Sequence, residues 1–222
     1  MKQFALQEEV ILMRRGKFEG NRVKRHHEKR DKQEPVSVTK SILLYLHDLV
    51  YLLGAILLVL LLLFRVVVVS GSSMNPTLLD GDYLLLLSSP LYNSPKYGDV
   101  IVASKDSFEN GEPIIKRVIA VEGQTVDIDF ATGTVYVDGT ALEENYISGA
   151  TTSNEGMKFP LVVDEDCVFV LGDNRGISWD SRSPAIGLID NREILGKAIS
   201  LFLPGSHPYT NTRDFSRIGG VS

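Results

Sequence analysis

Histidine and cysteine are nearly absent from this 222-residue chain, and their scarcity removes whole classes of chemistry. The single cysteine, Cys167, excludes an internal disulfide framework and any cysteine-rich zinc site. Four histidines remain: His26 and His27 precede a long apolar run, His47 lies inside it, and His207 is near the C-terminus. A Ser-His-Asp triad or a histidine-ligated metal has almost nothing to be built from, so no metal and no cofactor are expected. No G-x-G-x-x-G or G-x-x-x-x-G-K-[ST] phosphate loop occurs. The balance of 23 Lys and Arg against 28 Asp and Glu, a net charge of −5, argues against nucleic acid as a partner.

That net charge is a sum over two unlike parts. Residues 1–40 hold eleven basic and six acidic residues and carry +5, which leaves −10 for residues 41–222. Between the parts runs ILLYLHDLVYLLGAILLVLLLLF, residues 42–64. As a helix it would extend roughly 35 Å, enough for a hydrocarbon core of about 30 Å. Only His47 and Asp48 interrupt it, near its start, and Leu49–Phe64 has no polar face, which argues against a buried core helix. A cleavable signal peptide does not fit either. The charged lead is too long, and Val66-Val67-Val68-Val69 offers no small-x-small cleavage site. The run reads as an anchor in a lipid bilayer, and the basic excess before it places the N-terminus in the cytoplasm and the rest outside.

After the anchor, short aliphatic runs alternate with Gly, Pro, Asn and Asp, the pattern of strands and turns. Eight strands are expected, at Val66–Val69, Tyr83–Leu87, Val100–Ala103, Ile114–Val121, Thr125–Ile128, Thr134–Val137, Cys167–Leu171 and Ile194–Leu203. Asp138-Gly139 predicts a tight hairpin turn. Residues 148–160 read as a surface loop. The expected layout is a basic, disordered cytoplasmic tail (1–41), the anchor (42–64), one mainly β, antiparallel sheet or barrel-like domain (65–205) and a polar C-terminal tail (206–222).

With histidine excluded, nucleophilic chemistry outside the membrane needs Ser or Thr activated by another base. Five lysines follow the anchor: Lys96, Lys105, Lys116, Lys158 and Lys197. In Ile114-Ile115-Lys116-Arg117-Val118-Ile119-Ala120-Val121 the strand period places Lys116 beside Ile114, Val118 and Ala120. An amine among aliphatic side chains loses its charge more easily, as a lysine general base must. An edge-strand lysine reaching out to water fits the same spacing, and Arg117 satisfies the pattern equally. Two further stretches are loops rich in hydrogen-bonding groups: Ser70 to Leu78, and Gly172 to Arg182. Taken singly, each reads as ordinary turn chemistry.

Together these stretches resemble the type I signal peptidases, membrane-bound serine proteases that remove signal peptides from exported proteins. Gly71-Ser72-Ser73-Met74-Asn75-Pro76-Thr77-Leu78 is similar to the family's nucleophile box, and Gly81-Asp82 to the short box after it. Lys116-Arg117-Val118-Ile119-Ala120 matches the general-base box, and Gly172-Asp173-Asn174-Arg175 with Ser178, Asp180, Ser181 and Arg182 matches the last box. The single anchor and Gly71 in place of serine look most like the Gram-positive branch.

The resemblance implies that Ser73 is the nucleophile and Lys116 the general base, and that Ser178 orients the Lys116 amine. It implies that the Ser73 N–H forms part of an oxyanion hole, with a second donor near Gly71 left open because the serine hydroxyl of some relatives is missing. Asp173, Arg175, Asp180 and Arg182 would brace the turn, as would Arg117 from the base box. Signal peptides with small residues at −1 and −3 would be the substrates, bound as an added strand between Val69, Met74, Leu78, Ile114 and Ile115 as pocket walls. Gly176, Ile177 and Trp179 depart from the family pattern, and Trp179 is a candidate for the lipid interface. The alternatives are another Ser/Lys protease of similar fold and a catalytically silent, anchored β-domain that binds a partner.

Overall fold

The chain was described from a computed structural model that defines residues 38–106, 108, 111–206 and 211–221. Most of the basic lead, and His207, lie outside these residues. Backbone contacts divide the chain into two units at Gly54 and Ala55, within a long helix.

That helix, α1, spans Val38–Leu63. It begins before the apolar run, because Val38, Thr39 and Lys40 continue the pattern without a proline to stop it. Its 26 residues give about 39 Å of length. No side chain on it is buried, and among the described residues it alone is long and apolar enough to cross a membrane. Phe64, expected to close the anchor, instead opens the first strand.

The β-rich unit consists of two antiparallel sheets. The larger contains β1 (Phe64–Val68), β2 (Tyr83–Ser88), β3 (Val100–Ser104), β4 (Pro113–Val121), β9 (Cys167–Leu171), β10 (Ile189–Asp190) and β11 (Ile194–Leu203), in the order β1-β2-β11-β3-β4-β9-β10. The smaller runs β7 (Thr140–Ala141), β6 (Thr134–Val137), β5 (Thr125–Asp129) and β8 (Leu161–Val162). All eight expected strands are present. The extra ones are two residues long, too short to show a period. Asp138 and Gly139 both have positive φ, 52° and 76°, in the β6–β7 turn, as a two-residue hairpin loop demands.

Strands β3 and β4 are covered on both faces. Val100 and Val102 enter one core with Val69, Met74, Leu78, Leu84 and Leu86, while Ile101 and Ala103 enter another with Val118, Val170 and Ile189. A third core, around Phe169, Val126 and Val135, joins the smaller sheet to β4 and β9. The register of β4 against β9 slips by one residue between Val118 and Ala120. This bulge turns Ala120 into the third core, away from Ile114 and Val118, so the expectation that Ala120 flanks Lys116 fails.

The C-terminal stretch is polar, as expected, but it is built onto the sheet. Gly219–Gly220 forms β12 against Ser200 and Leu201 of β11, and a 3-10 turn at Phe215–Arg217 precedes it. A Gly-Gly strand carries no side chains by which its pairing could be read in advance.

Gly196 lies within β11 opposite Ser88 of β2 and Val102 of β3. A Cβ there would come within 2.3 Å of the Leu87 carbonyl oxygen. Gly196→Ala is expected to lower stability by about 1–3 kcal/mol through overpacking. Urea unfolding of the detergent-solubilised chain measures this, and an unchanged midpoint would show that β11 shifts freely.

Candidate active site

Ser73 sits on the loop between β1 and β2, and hydrogen bonds close that loop at its neck. Val69 N donates to the Asp82 carbonyl (2.8 Å) and Gly81 N to the Val69 carbonyl (2.9 Å). Gly71 takes φ +88°, a conformation that favours glycine. Its N–H donates to Asp80 Oδ1 at 2.8 Å. The Ser73 N–H has no acceptor among the described residues. Beyond Ser73 the chain makes one turn, Leu78 N to Met74 O (2.9 Å), which sends Met74 and Leu78 into the first core. Apolar burial on the inner side thus holds the half-buried serine at the rim.

Lys116 reaches the same point from β4. Its Nζ lies 3.0 Å from Ser73 Oγ and donates to the Ile115 carbonyl, also at 3.0 Å. It is 5% exposed. The other four lysines of this unit differ in kind. Lys96 and Lys158 are exposed, Lys105 lies 3.7 Å from Glu193, and Lys197 is 2.5 Å from Asp99. Lys116 alone among them is buried.

Arg117, its neighbour, is occupied otherwise. The guanidinium binds Asp173 through Nε (2.8 Å) and Nη2 (2.7 Å), donates to the Gly98 carbonyl (2.9 Å) and lies 4.1 Å from the Tyr146 ring centre. Burial opposes the Arg117 charge, but Asp173 outweighs it and holds the guanidinium above its ordinary pKa. Asp173 Oδ2 also accepts from Thr77 Oγ1, which ties the nucleophile loop to this pair.

The turn after β9 supplies the rest. Asn174 N donates to the Ser73 carbonyl (2.9 Å) and Asn174 Nδ2 to the Ser72 carbonyl (3.2 Å), pinning the loop from above. Asp180 and Arg182 pair through two contacts of 2.8 and 2.9 Å, with no exposure of either. Arg182 also donates to the carbonyls of Arg175 and Ser178. Asp180 Oδ2 accepts from Gly172 N. Arg175 is held by Glu144 and Thr151. Ser178 is fully buried, and its hydroxyl donates to the Trp179 carbonyl at 3.4 Å. It also stands at the nucleophile loop: an ideal Cβ on Gly172 would fall 2.1 Å from Ser178 Oγ and 2.6 Å from the Ser73 carbonyl oxygen.

The five residues expected as pocket walls divide between two cores. Val69, Met74 and Leu78 are core residues beneath the loop, with Ile115 packed on them, while Ile114 packs against the second core. Successive strand residues point to opposite faces, which separates Ile114 from Ile115. Trp179 is 61% exposed, with its ring 5.9 Å from that of Phe108.

Sequence reasoning missed Glu144, Tyr146 and Glu155. Glu155 lies in the 148–160 loop, 3.2 Å from Arg182. Burial pushes its carboxyl above the ordinary glutamate range, while Arg182 and, more weakly, Lys116 draw it back. Its charge was the only available signal.

An antiparallel β-scaffold that presents a serine hydroxyl to a buried amine defines the class, a serine peptidase. The chain belongs to the signal peptidase family, peptidase S26, whose family model matches residues 42–203. It is similar to a signal peptidase I of Bacillus licheniformis, 35% identical over 150 residues, which are 64% of this chain and 78% of that protein. It is also similar to a probable signal peptidase I-1 of Synechocystis sp., 38% identical over 166 residues, 70% of this chain and 81% of that one. A crystal structure of a signal peptidase I from Enterococcus faecalis aligns with a TM-score of 0.38 at 30% identity, covering 47% of this chain and 96% of that chain.

Gly172→Ala would drive a methyl group into both Ser178 and the Ser73 backbone. It is expected to cut turnover by about a hundredfold, the cost of an ångström-scale misplacement. Peptide cleavage assays on variant protein with a native circular dichroism spectrum check this; wild-type turnover would mean that the turn relaxes harmlessly.

Proposed function

We propose that this chain is a membrane-anchored signal peptidase I that cleaves signal peptides from exported pre-proteins, with Ser73 as nucleophile and Lys116 as general base. The observation that carries the reading is the 3.0 Å separation of Ser73 Oγ from the one buried lysine of the β-rich unit. Burial disfavours an ammonium, so the Lys116 amine is suited to be neutral and to accept the serine proton. Ser73 Oγ attacks the scissile carbonyl as its proton passes to Lys116 Nζ. The tetrahedral oxyanion is met by the Ser73 N–H. Collapse expels the new amine of the mature protein, which takes the proton from Lys116 and leaves an acyl-enzyme. Neutral Lys116 then draws a proton from water as its oxygen attacks the ester, and when the acyl C–O bond breaks Lys116 returns that proton to Ser73 Oγ, freeing the signal peptide with a new carboxyl group.

Ser178 is the group suited to orient the amine, and Asp173, Arg175, Asp180 and Arg182 fix the turn that carries it. In this reading the substrate is extended, adds as a strand and presents small residues at −1 and −3. In this reading residues 1–41 lie in the cytoplasm, residues 42–63 of the apolar helix span the bilayer, and the chain from β1 to 205 acts outside. The apolar helix and the +5 lead support that topology.

Ser73→Ala and Lys116→Ala are each expected to abolish cleavage of an Ala-x-Ala peptide, a loss of about a thousandfold or more. Substantial turnover by either variant overturns the dyad. Because the base works neutral, kcat/KM should rise with pH through the Lys116 pKa to a plateau, and chelators should leave it unchanged. A rate that falls over that range, or on adding chelator, contradicts the mechanism. In intact spheroplasts, external protease should digest residues 66–222; digestion from the cytoplasmic side alone reverses the topology.

A further inference from the structure

We propose that Arg217, from the C-terminal stretch, is a positioning residue that holds the far half of the nucleophile loop. Residue 217 lies beyond the span matched by the family model, which ends at 203. The proposal rests on the reading of Ser73 as the nucleophile.

Asp82 closes the Ser73 loop and is fully buried. Its carboxylate accepts from Leu79 N (2.7 Å), Gly205 N (2.8 Å), Arg217 Nη1 (2.9 Å) and Arg217 Nη2 (2.6 Å). Two of these donors are on Arg217, the one cation paired with Asp82 among the described residues. Arg217 Nη2 also donates to the Thr77 carbonyl at 3.3 Å. One guanidinium thus touches the loop at Thr77 and at Asp82. Thr77 in turn binds Asp173, the partner of Arg117, next to Lys116 in β4. Asn174 pins Ser72 and Ser73 from the other side, so the loop is gripped at both ends.

The segment that delivers Arg217 is itself anchored. Arg213 Nη1 donates to the Pro204 carbonyl (2.6 Å), and Ser206 bridges to Arg213. Asp214 caps the 3-10 turn by accepting from Ser216 N (3.0 Å). Gly219 and Gly220 then pair with β11, and Ser200 Oγ donates to the Gly219 carbonyl. At Gly205 the chain passes so close to the loop that a Cβ would lie 2.4 Å from the Asp80 carbonyl oxygen. A cavity of about 790 Å³ lies beside these contacts, lined by Ser72, Asn75 and Leu79 of the loop and by Gly205, Arg213 and Arg217 of the C-terminal stretch. Gly205 and Arg217 reach the loop's Asp82 by hydrogen bonds, while Val221 packs on the first core beside Met74 and Leu78 of the loop. A fork that meets a carboxylate and a carbonyl at once is a task for arginine, which lysine meets only in part.

Without Arg217 the buried Asp82 carboxylate loses its counter-charge, and the Thr77–Asp82 backbone is free to shift to admit water. Such a shift moves Ser73 relative to Lys116. The test uses the full chain in detergent and an Ala-x-Ala peptide, comparing wild type, Arg217→Ala, Arg217→Lys and Ser73→Ala. Arg217→Ala is expected to lower kcat by about tenfold or more with KM little changed, and Arg217→Lys to fall between it and wild type. Wild-type kcat in Arg217→Ala overturns the proposal. So does a loss that only tracks the folded fraction seen by near-UV circular dichroism. Should Arg217→Ala fail to fold, Arg217→Lys carries the test: a several-fold lower kcat at unchanged KM supports the proposal, and a wild-type kcat overturns it. Turnover by Ser73→Ala would remove the underlying reading as well. A silent Ser73→Ala beside a fully active Arg217→Ala removes this proposal alone.

Discussion

Strand β4 carries two basic side chains in succession into the interior, and the site is arranged around treating them differently. Burying an unmatched cation costs several kcal/mol even after relaxation. Arg117 is matched by Asp173, by a backbone carbonyl and by the face of Tyr146, and its charge is held. Lys116 meets the Ser73 hydroxyl and the Ile115 carbonyl. Hydroxyl and carbonyl oxygens accept from an amine without requiring it to be charged, which is the condition the proposed mechanism sets. Because both strand faces are covered, neither side chain can escape to water.

The same economy governs the turn after β9. Three arginines, Arg117, Arg175 and Arg182, are buried there, each against a carboxylate and at least one backbone carbonyl. Buried ion pairs add little net stability, because desolvation consumes most of the Coulombic gain. What they supply here is shape. Guanidinium forks fix irregular backbone that no sheet ladder could hold, and that backbone presents Asn174 to Ser73 and Ser178 to the loop. Asp173 belongs at once to the β4 pair and, through Thr77, to the nucleophile loop, so the two halves of the site cannot drift independently.

Much of this was legible in the sequence where the signal was local. Strand runs, the Asp138-Gly139 turn and the apolar helix depend on neighbours in the chain, and the structure has them. Lys116 and Arg117 were indistinguishable by spacing, because the feature that separates them, Asp173, lies 56 residues away. Ala120 was misplaced because a bulge inserts one residue and reverses the alternation. Ile114 and Ile115 divide between two cores, since adjacent strand residues face opposite sides. Glu144, Tyr146 and Glu155 sit on irregular chain without periodicity, and Arg217 sits on a stretch whose polarity concealed its attachment to β11.

Glu155 shows how finely such a site is balanced. A carboxylate within electrostatic reach of Lys116 favours the ammonium. That opposes the neutral amine needed before attack and supports the protonated amine formed during it. Arg182 answers this by binding Glu155 at 3.2 Å, so that much of the carboxylate charge is already compensated before Lys116 feels it. Burial also raises the Glu155 carboxyl above the ordinary glutamate range. The lysine is therefore left near a weakened counter-charge.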